Sequence, residues 1–310
     1  MLDPDIQRLL DTVFNVAPGA FPPAIGPLRT SAIEAPRLFG GAPEAVASVV
    51  DVRIPGLGTD IPLRIYRPEA QSPLPLVVFA HGGGWVTGSL ESHDKFCRIM
   101  ARRLPAVVVS VDYRCAPEHV YPAALDDVAT AWRWARAHAR EHGADAKRFA
   151  LAGDSSGGNL AAALALRLRT EGATQPQLQL LLYPALDATC SRAAYRDFAT
   201  GFNLSAQQMA WYWDVYRAGT DKHAPELGPL SASDLKRLAP TVIAVAESDV
   251  LRDDGVDYAT RLHAAGVPTR LIRCEGMIHG FVRWTGVVPA AHRWIDAVLQ
   301  ASREALHQRV

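Results

Sequence analysis

The sequence predicts an α/β chain: a central, mostly parallel sheet of eight strands with helices on both faces and a helical cap. Three observations predict it. From about residue 76, short apolar runs rich in β-branched residues recur, and they are continuous rather than alternating, as in strands covered on both faces. Segments with helical spacing of their apolar positions separate these runs, and strands that alternate with helices build parallel sheets. Two stretches, 1–45 and 187–235, break the alternation and read together as a cap over the carboxyl edge of the sheet.

Taken in order, residues 1–45 are rich in Pro and Ala and open with a short amphipathic helix around Ile6–Phe14. The first core segment spans 46–186. It begins with Ala47–Ile54 and Ile61–Arg67, joined through Gly56-Leu57-Gly58 as a hairpin. Strands follow at Leu76–Ala80 and Ala106–Val111, with a helix over 92–103 between them. A helix over 123–140 carries Leu125, Val128, Ala129, Trp132 and Ala135 on one stripe. A strand near 148–152, a helix near 156–170 and a strand at Leu178–Tyr183 complete this segment. The insertion 187–235 holds a dense aromatic helix from Met209 to Tyr216. The second core segment, 236–310, has strands near 241–246 and 269–274, a helix near 254–265 between them, and a closing helix near 288–306.

Composition narrows the function. The chain has 310 residues, 49% of them hydrophobic and 21% charged, which supports a large core and excludes disorder. Lys plus Arg and Asp plus Glu are both 32, so no basic excess exists to neutralise phosphates. The expected partner is a small molecule, not a nucleic acid. Cys97, Cys115, Cys190 and Cys274 are scattered, with no Cys-x-x-Cys pair, so neither a zinc site nor a disulfide framework is expected. Met1-Leu2-Asp3-Pro4-Asp5 lacks a secretion pattern, and no apolar run approaches the ~20 residues of a membrane span. The expectation is a cytoplasmic protein without metal or cofactor.

The run Gly153-Asp154-Ser155-Ser156-Gly157 has the Gly-x-Ser-x-Gly spacing of a nucleophile elbow. It joins a predicted strand to a predicted helix, which is the context the motif requires. Small neighbours allow a tight turn that lifts the Ser155 hydroxyl over the sheet, while the glycine spacing does not fit Ser156. His81-Gly82-Gly83-Gly84-Trp85 follows another strand end. Its glycines can present bare N–H groups to a developing oxyanion, so Gly83, Gly84 and the N–H of Ser156 are the candidate donors. No Gly-Lys-Ser/Thr ending follows, which argues against a phosphate loop. His81 precedes the serine and reads as structural.

The acid and base are expected after the serine, each beyond a strand. Strand 241–246 ends in Glu247-Ser248-Asp249, and strand 269–274 leads to His279. Glu247 and Asp253 compete with Asp249, with helix capping as their other use. His263, His292 and His307 fall in predicted helices and His223 in the insertion, which leaves His279 as the base. Trp85, with Phe202, Met209 and Trp213 of the insertion and Ile278 beside the histidine, are the candidate substrate contacts.

These runs resemble the hormone-sensitive-lipase-like family of α/β-hydrolases, the bacterial family IV esterases. Asp112-Tyr113-Arg114-Cys115-Ala116-Pro117-Glu118-His119 through Ala124 resembles the family's DYRLAPEH…FPAA segment, with Cys115 in place of leucine. Gly153–Gly158 resembles its GDSAGG elbow, with Ser156 in place of alanine. Asp249–Gly255 resembles DPLRDEG, and His279-Gly280-Phe281 resembles HGF. The resemblance covers nearly the whole chain and implies a Ser155–His279–Asp249 triad acting on carboxylic esters, in a monomer or homodimer. It leaves open lipase, carboxylesterase and acetyl-ester hydrolase activities; the aromatic insertion favours short or medium acyl chains. A hormone receptor on the same scaffold is the rival from another class, but such receptors lack the histidine that His279 supplies. The hydroxyl of Ser156 is expected beside the nucleophile, where it can alter rate or acyl preference.

Overall fold

The computed structural model describes residues 1–14 and 21–307. Residues 15–20, in the segment expected to begin the cap, and 308–310, at the end of the second core segment, lie outside the described residues. Helix α1 (Pro4–Leu9) is capped by the Asp3 carboxylate, which accepts the Asp5 N–H, and it continues as a wider π turn over Leu10–Phe14. Helix α2 (Ile25–Phe39) precedes the hairpin β1 (Ser48–Pro55) and β2 (Asp60–Arg67). Next come β3 (Leu74–Ala80), α3 (Leu90–Arg103), β4 (Val107–Val111) and α4 (Ala123–Ala137). Then follow β5 (Ala144–Asp154), α5 (Ser156–Thr170) and β6 (Leu178–Leu182). The insertion carries α6 (Ala194–Asp197) and α7 (Ala206–Arg217); the chain then returns through β7 (Thr241–Ser248), α8 (Arg252–Ala264), β8 (Thr269–Ile278) and α9 (Pro289–His307).

The eight strands form one sheet in the order β1-β2-β4-β3-β5-β6-β7-β8. Only β2 runs against its neighbours; every pairing from β4 to β8 is parallel. The alternation of side chains assigns each residue to a layer. Along β3, Leu74, Leu76, Val78 and Ala80 join the layer of Trp132, Leu160 and Tyr258 from α4, α5 and α8. Val77 and Phe79 join the opposite layer, with Phe96 and Met100 of α3 and Ile295 and Leu299 of α9. Burial of both faces is why these strands read as continuous apolar runs. Each fully buried Leu, Ile or Phe contributes about 1.5–3 kcal/mol of transfer free energy.

Several strands are longer than their apolar runs. β5 begins at Ala144, because Leu74 pairs with Ala144 ahead of the Leu76–Phe149 register, across a slip that accommodates Lys147 and Arg148. β8 extends to Ile278, which pairs with Ser248 past a bulge in β8. That extension carries the chain directly to His279.

The Asp254 side chain joins α8 to the loop after β6: its Oδ2 accepts the N–H groups of Leu186 at 2.9 Å and Asp187 at 3.0 Å. Burial drives its pKa well above the ordinary value, and the nearby Asp187 charge adds to that, so folding favours the protonated form of Asp254. In the unfolded chain it ionises near pH ~4. The stability it contributes is therefore present below that pH and is lost as pH rises toward the elevated folded value. Asp254→Asn keeps the acceptor oxygen and removes the titration. We expect its stability relative to the parent protein to rise between pH 4 and pH 8, as read from urea unfolding midpoints. An offset independent of pH would refute this account of Asp254.

Candidate active site

Ser155 is the N-cap of α5 and follows directly on β5, with φ of +55° and ψ of −120°. A left-handed φ is costly for a residue with a Cβ and persists only where its surroundings enforce it. Here the Ser155 N–H donates to Leu182 O at 2.8 Å, and its carbonyl accepts from Asn159 and Ala185. At Gly157 any Cβ would overlap the carbonyl of Ala80, so the first turn of α5 packs directly on the end of β3. The elbow is thus set by backbone contacts to both neighbouring strands.

His279 stands just past β8 and places Nε2 2.9 Å from Ser155 Oγ and Nδ1 2.7 Å from Asp249 Oδ2. With the proton on Nδ1, the imidazole donates to Asp249 and accepts from the Ser155 hydroxyl. Asp249 is buried, and its second oxygen accepts the Leu251 N–H at 3.0 Å, which fixes the carboxylate in its turn. The ring of Tyr183 packs edge-on against His279, with centroids 4.8 Å apart. Ser155, His279 and Asp249 come from three strand ends yet form one hydrogen-bonded line. Their rivals go elsewhere: Glu247 accepts the Gly276 N–H, and Asp253 accepts the Ala194 N–H and pairs with Arg252.

Asp154, the residue before Ser155, ties the elbow to the glycine run. Its Oδ1 accepts the Gly82 N–H at 2.7 Å and lies 3.1 Å from His93 Nε2. Burial alone opposes ionisation there, but His93, Arg283 and the Gly82 N–H outweigh it and hold the carboxyl at about 2. Beyond Gly82, the N–H groups of Gly83 and Gly84 have no acceptor among the described hydrogen bonds, and both residues line the cavity above Ser155. The N–H of Ser156 is the first of α5, where helices leave donors free. Tyr212 packs on Gly84 so closely that a Cβ there would enter its ring. His81 is buried and stacked on Tyr113 at 4.2 Å; burial, together with the charge of His93, lowers its pKa to about 3, so it stays neutral.

The cavity has a volume of about 170 Å³. Ser155, His279, Gly83 and Gly84 form its floor, and Met209 and Tyr212 of α7 and Leu28, Ala32 and Ala35 of α2 form walls. Met209 is the one candidate substrate contact that the cavity includes. Trp85 is fully buried, stacked parallel on Tyr216 at 4.5 Å and against Trp213 at 4.3 Å; both tryptophans anchor α7 to the glycine loop rather than face the cavity. Ile278 is a buried core residue at the end of β8, and Phe202 packs edge-on to Phe198 outside the cavity. Ser156 also departs from expectation. Its hydroxyl is buried without a hydrogen-bond partner and its residue is not part of the cavity wall, so it does not bear directly on the acyl group.

Sequence reasoning missed the α2 wall and Arg283. The first had a signal, since Leu28, Ala32 and Ala35 share one helical face. Arg283 had none, because its place depends on a turn after His279. Among the described residues, no cluster of three or more His, Cys, Asp or Glu could hold a metal ion. All four cysteines are free thiols, and among the described residues no helix is long and apolar enough to cross a membrane.

The chain is similar to known proteins in sequence and in fold. The sequence profile of the α/β hydrolase fold matches residues 77–283. A carboxylic ester hydrolase of Mycobacterium tuberculosis is 41% identical over 290 residues, covering 91% of this chain and 77% of its own. An ethyl acetate hydrolase of Pseudomonas putida is 37% identical, over 80% of each. The structure of a hyperthermophilic esterase from the archaeon Pyrobaculum calidifontis superposes with a TM-score of 0.92 at 36% identity, covering 98% of both chains.

Proposed function

Since the chain belongs to the hormone-sensitive-lipase-like group of the α/β hydrolase fold and is a carboxylic ester hydrolase, we propose that it cleaves short- to medium-chain acyl esters through an acyl-enzyme on Ser155. One observation carries this reading: His279 bridges the Ser155 hydroxyl and the buried Asp249 carboxylate in a single line.

In the first step His279 Nε2 takes the Ser155 proton as Oγ attacks the ester carbonyl. The carbonyl oxygen gains the negative charge, and the N–H groups of Gly83, Gly84 and Ser156 stabilise it. Collapse of the tetrahedral intermediate breaks the bond to the alkoxy oxygen, which leaves as the alcohol with the proton from His279. Water then attacks the acyl-Ser155 carbonyl, again losing its proton to His279, and Ser155 recovers that proton as the acid departs. Asp249 keeps the tautomer correct and stabilises the transient imidazolium. Asp154 acts at one remove, holding Gly82 so that the N–H groups of the following glycines face the cavity. Helices α2 and α7 are the proposed cap.

Cavity volume sets the acyl preference. A site of about 170 Å³ is close to the ~150 Å³ that accommodates a benzene ring in an engineered protein cavity. The name of the ethyl acetate hydrolase relative agrees with a small substrate. In a series of nitrophenyl esters, kcat/KM is expected to peak at acyl chains of about two to six carbons, since each further methylene must leave the cavity and forfeits its ~0.8 kcal/mol of burial. A peak at twelve carbons or more would overturn the short-chain reading.

A further inference from the structure

A cation stands in the cavity wall beside the histidine loop. Arg283 ends the 3₁₀ turn Phe281–Arg283, which begins directly after His279 and Gly280. The turn folds back, with the Arg283 N–H donating to Gly280 O at 3.1 Å. Its Nη2 reaches a point 2.8 Å from where a Cβ on Gly280 would stand, so the guanidinium lies against the loop that carries His279. Arg283 lines the same cavity as Ser155, and its Nε is buried without a hydrogen-bond partner.

Other half-buried arginines are provided for. Arg64 pairs with Asp51 and Glu91, Arg114 with Asp127, and Arg167 with Asp126 and Glu226. Arg261 donates to the carbonyls of Leu230 and Ala232, and Arg136 lies over two aromatic rings. Among the described residues Arg283 has no carboxylate, carbonyl or ring partner of this kind, and residues 15–20 contain no acid. Asp154 also borders the cavity, but its carboxylate is engaged by Gly82 and His93. A guanidinium stays charged at every working pH, and although the Arg283 charge favours ionisation of Asp154, that carboxylate's hydrogen bonds go to Gly82 and His93, so the Arg283 fork has no acceptor of its own. A carboxylate completes it best, accepting two parallel N–H bonds.

Building on the ester hydrolysis assigned to Ser155, we propose that Arg283 is a specificity-determining residue that binds a free carboxylate on the substrate. The favoured substrates are then small esters carrying a carboxylate a few carbons from the ester bond. They are half-esters of dicarboxylic acids if the anion lies on the acyl side, and acyl esters of hydroxy acids if it lies on the alcohol side. Volume limits the spacer to a short chain.

Two matched pairs distinguish the sides: monomethyl glutarate against methyl 5-methylhexanoate, and 4-acetoxybutanoate against 4-methylpentyl acetate. The readout is the ratio of kcat/KM for the anionic member to that for its neutral isostere. In Arg283→Gln this ratio falls tenfold or more for at least one pair, and Arg283→Lys, which keeps the charge without the fork, falls between. Ratios unchanged within twofold for both pairs overturn the proposal. Calorimetric titration of glutarate into Ser155→Ala supplies a readout that needs no turnover: adding Arg283→Gln raises its Kd at least tenfold, and an unchanged Kd is equally fatal. Failure of the parent protein to turn over the neutral esters would instead count against the assigned hydrolysis, while the glutarate titration still judges Arg283.

Discussion

Ser155→Ala is expected to lower kcat on a short nitrophenyl ester by on the order of 10⁶ while the protein stays folded. Without Oγ no acyl-enzyme forms, and what survives comes from the N–H donors and from substrate binding. The fold survives because the hydroxyl holds no element in place. Its hydrogen-bond partner is His279 Nε2, and although Ser155 is the N-cap of α5 its side chain makes no capping bond. The strained φ is enforced by backbone contacts that alanine retains. Turnover and the thermal midpoint should therefore part company, with the first collapsing and the second nearly unmoved. A fluorophosphonate should label the parent protein and leave Ser155→Ala unmodified. Retention of a tenth of the parent turnover would end the assignment of Ser155.

Asp249→Asn is expected to cost on the order of 10⁴ in kcat with little change in KM. An amide can meet His279 Nδ1 with its NH₂ group as well as with its oxygen. When it donates, the imidazole proton shifts to Nε2, and the nitrogen that should accept the Ser155 proton becomes a donor. Even when the amide oxygen accepts, the carboxylate that stabilises the imidazolium is gone. The same substitution at Asp254, a short step along the chain, should leave kcat nearly intact, because that carboxyl serves the N–H groups of Leu186 and Asp187 and makes no contact with His279. Comparing kcat for the two variants separates chemistry from scaffolding. If Asp249→Asn kept more than a tenth of activity, Glu247 and Asp253 would become the acids to test.

The floor of the site was legible in the sequence because it is built from short-range signals. Glycine spacing set the elbow and the donor loop, and strand ends set the order of Ser155, Asp249 and His279. The walls were not legible in the same way. Trp85 follows the donor glycines and so looked like a substrate contact, yet its ring belongs to a stack with Trp213 and Tyr216 from far along the chain. Nothing local distinguishes an aromatic that lines a cavity from one that pins a helix. Ile278 sits beside His279 in the sequence but not in the cavity, because β8 runs past its apolar stretch and carries that residue into the core. The tie made by Asp154 has no local signal, since its partners Gly82 and His93 lie on segments that the sheet order, not the chain order, brings near.

The way α2 and α7 meet over Ser155 has a consequence for how such a chain can diversify. Leu28, Ala32 and Met209 shape the space above Ser155 but make none of the contacts that align Ser155, His279 and Asp249. Substitutions at these positions are therefore free to re-tailor which molecules enter without retiming the proton transfers proposed beneath them. A lineage can explore new diets through its roof while inheriting its machinery unaltered.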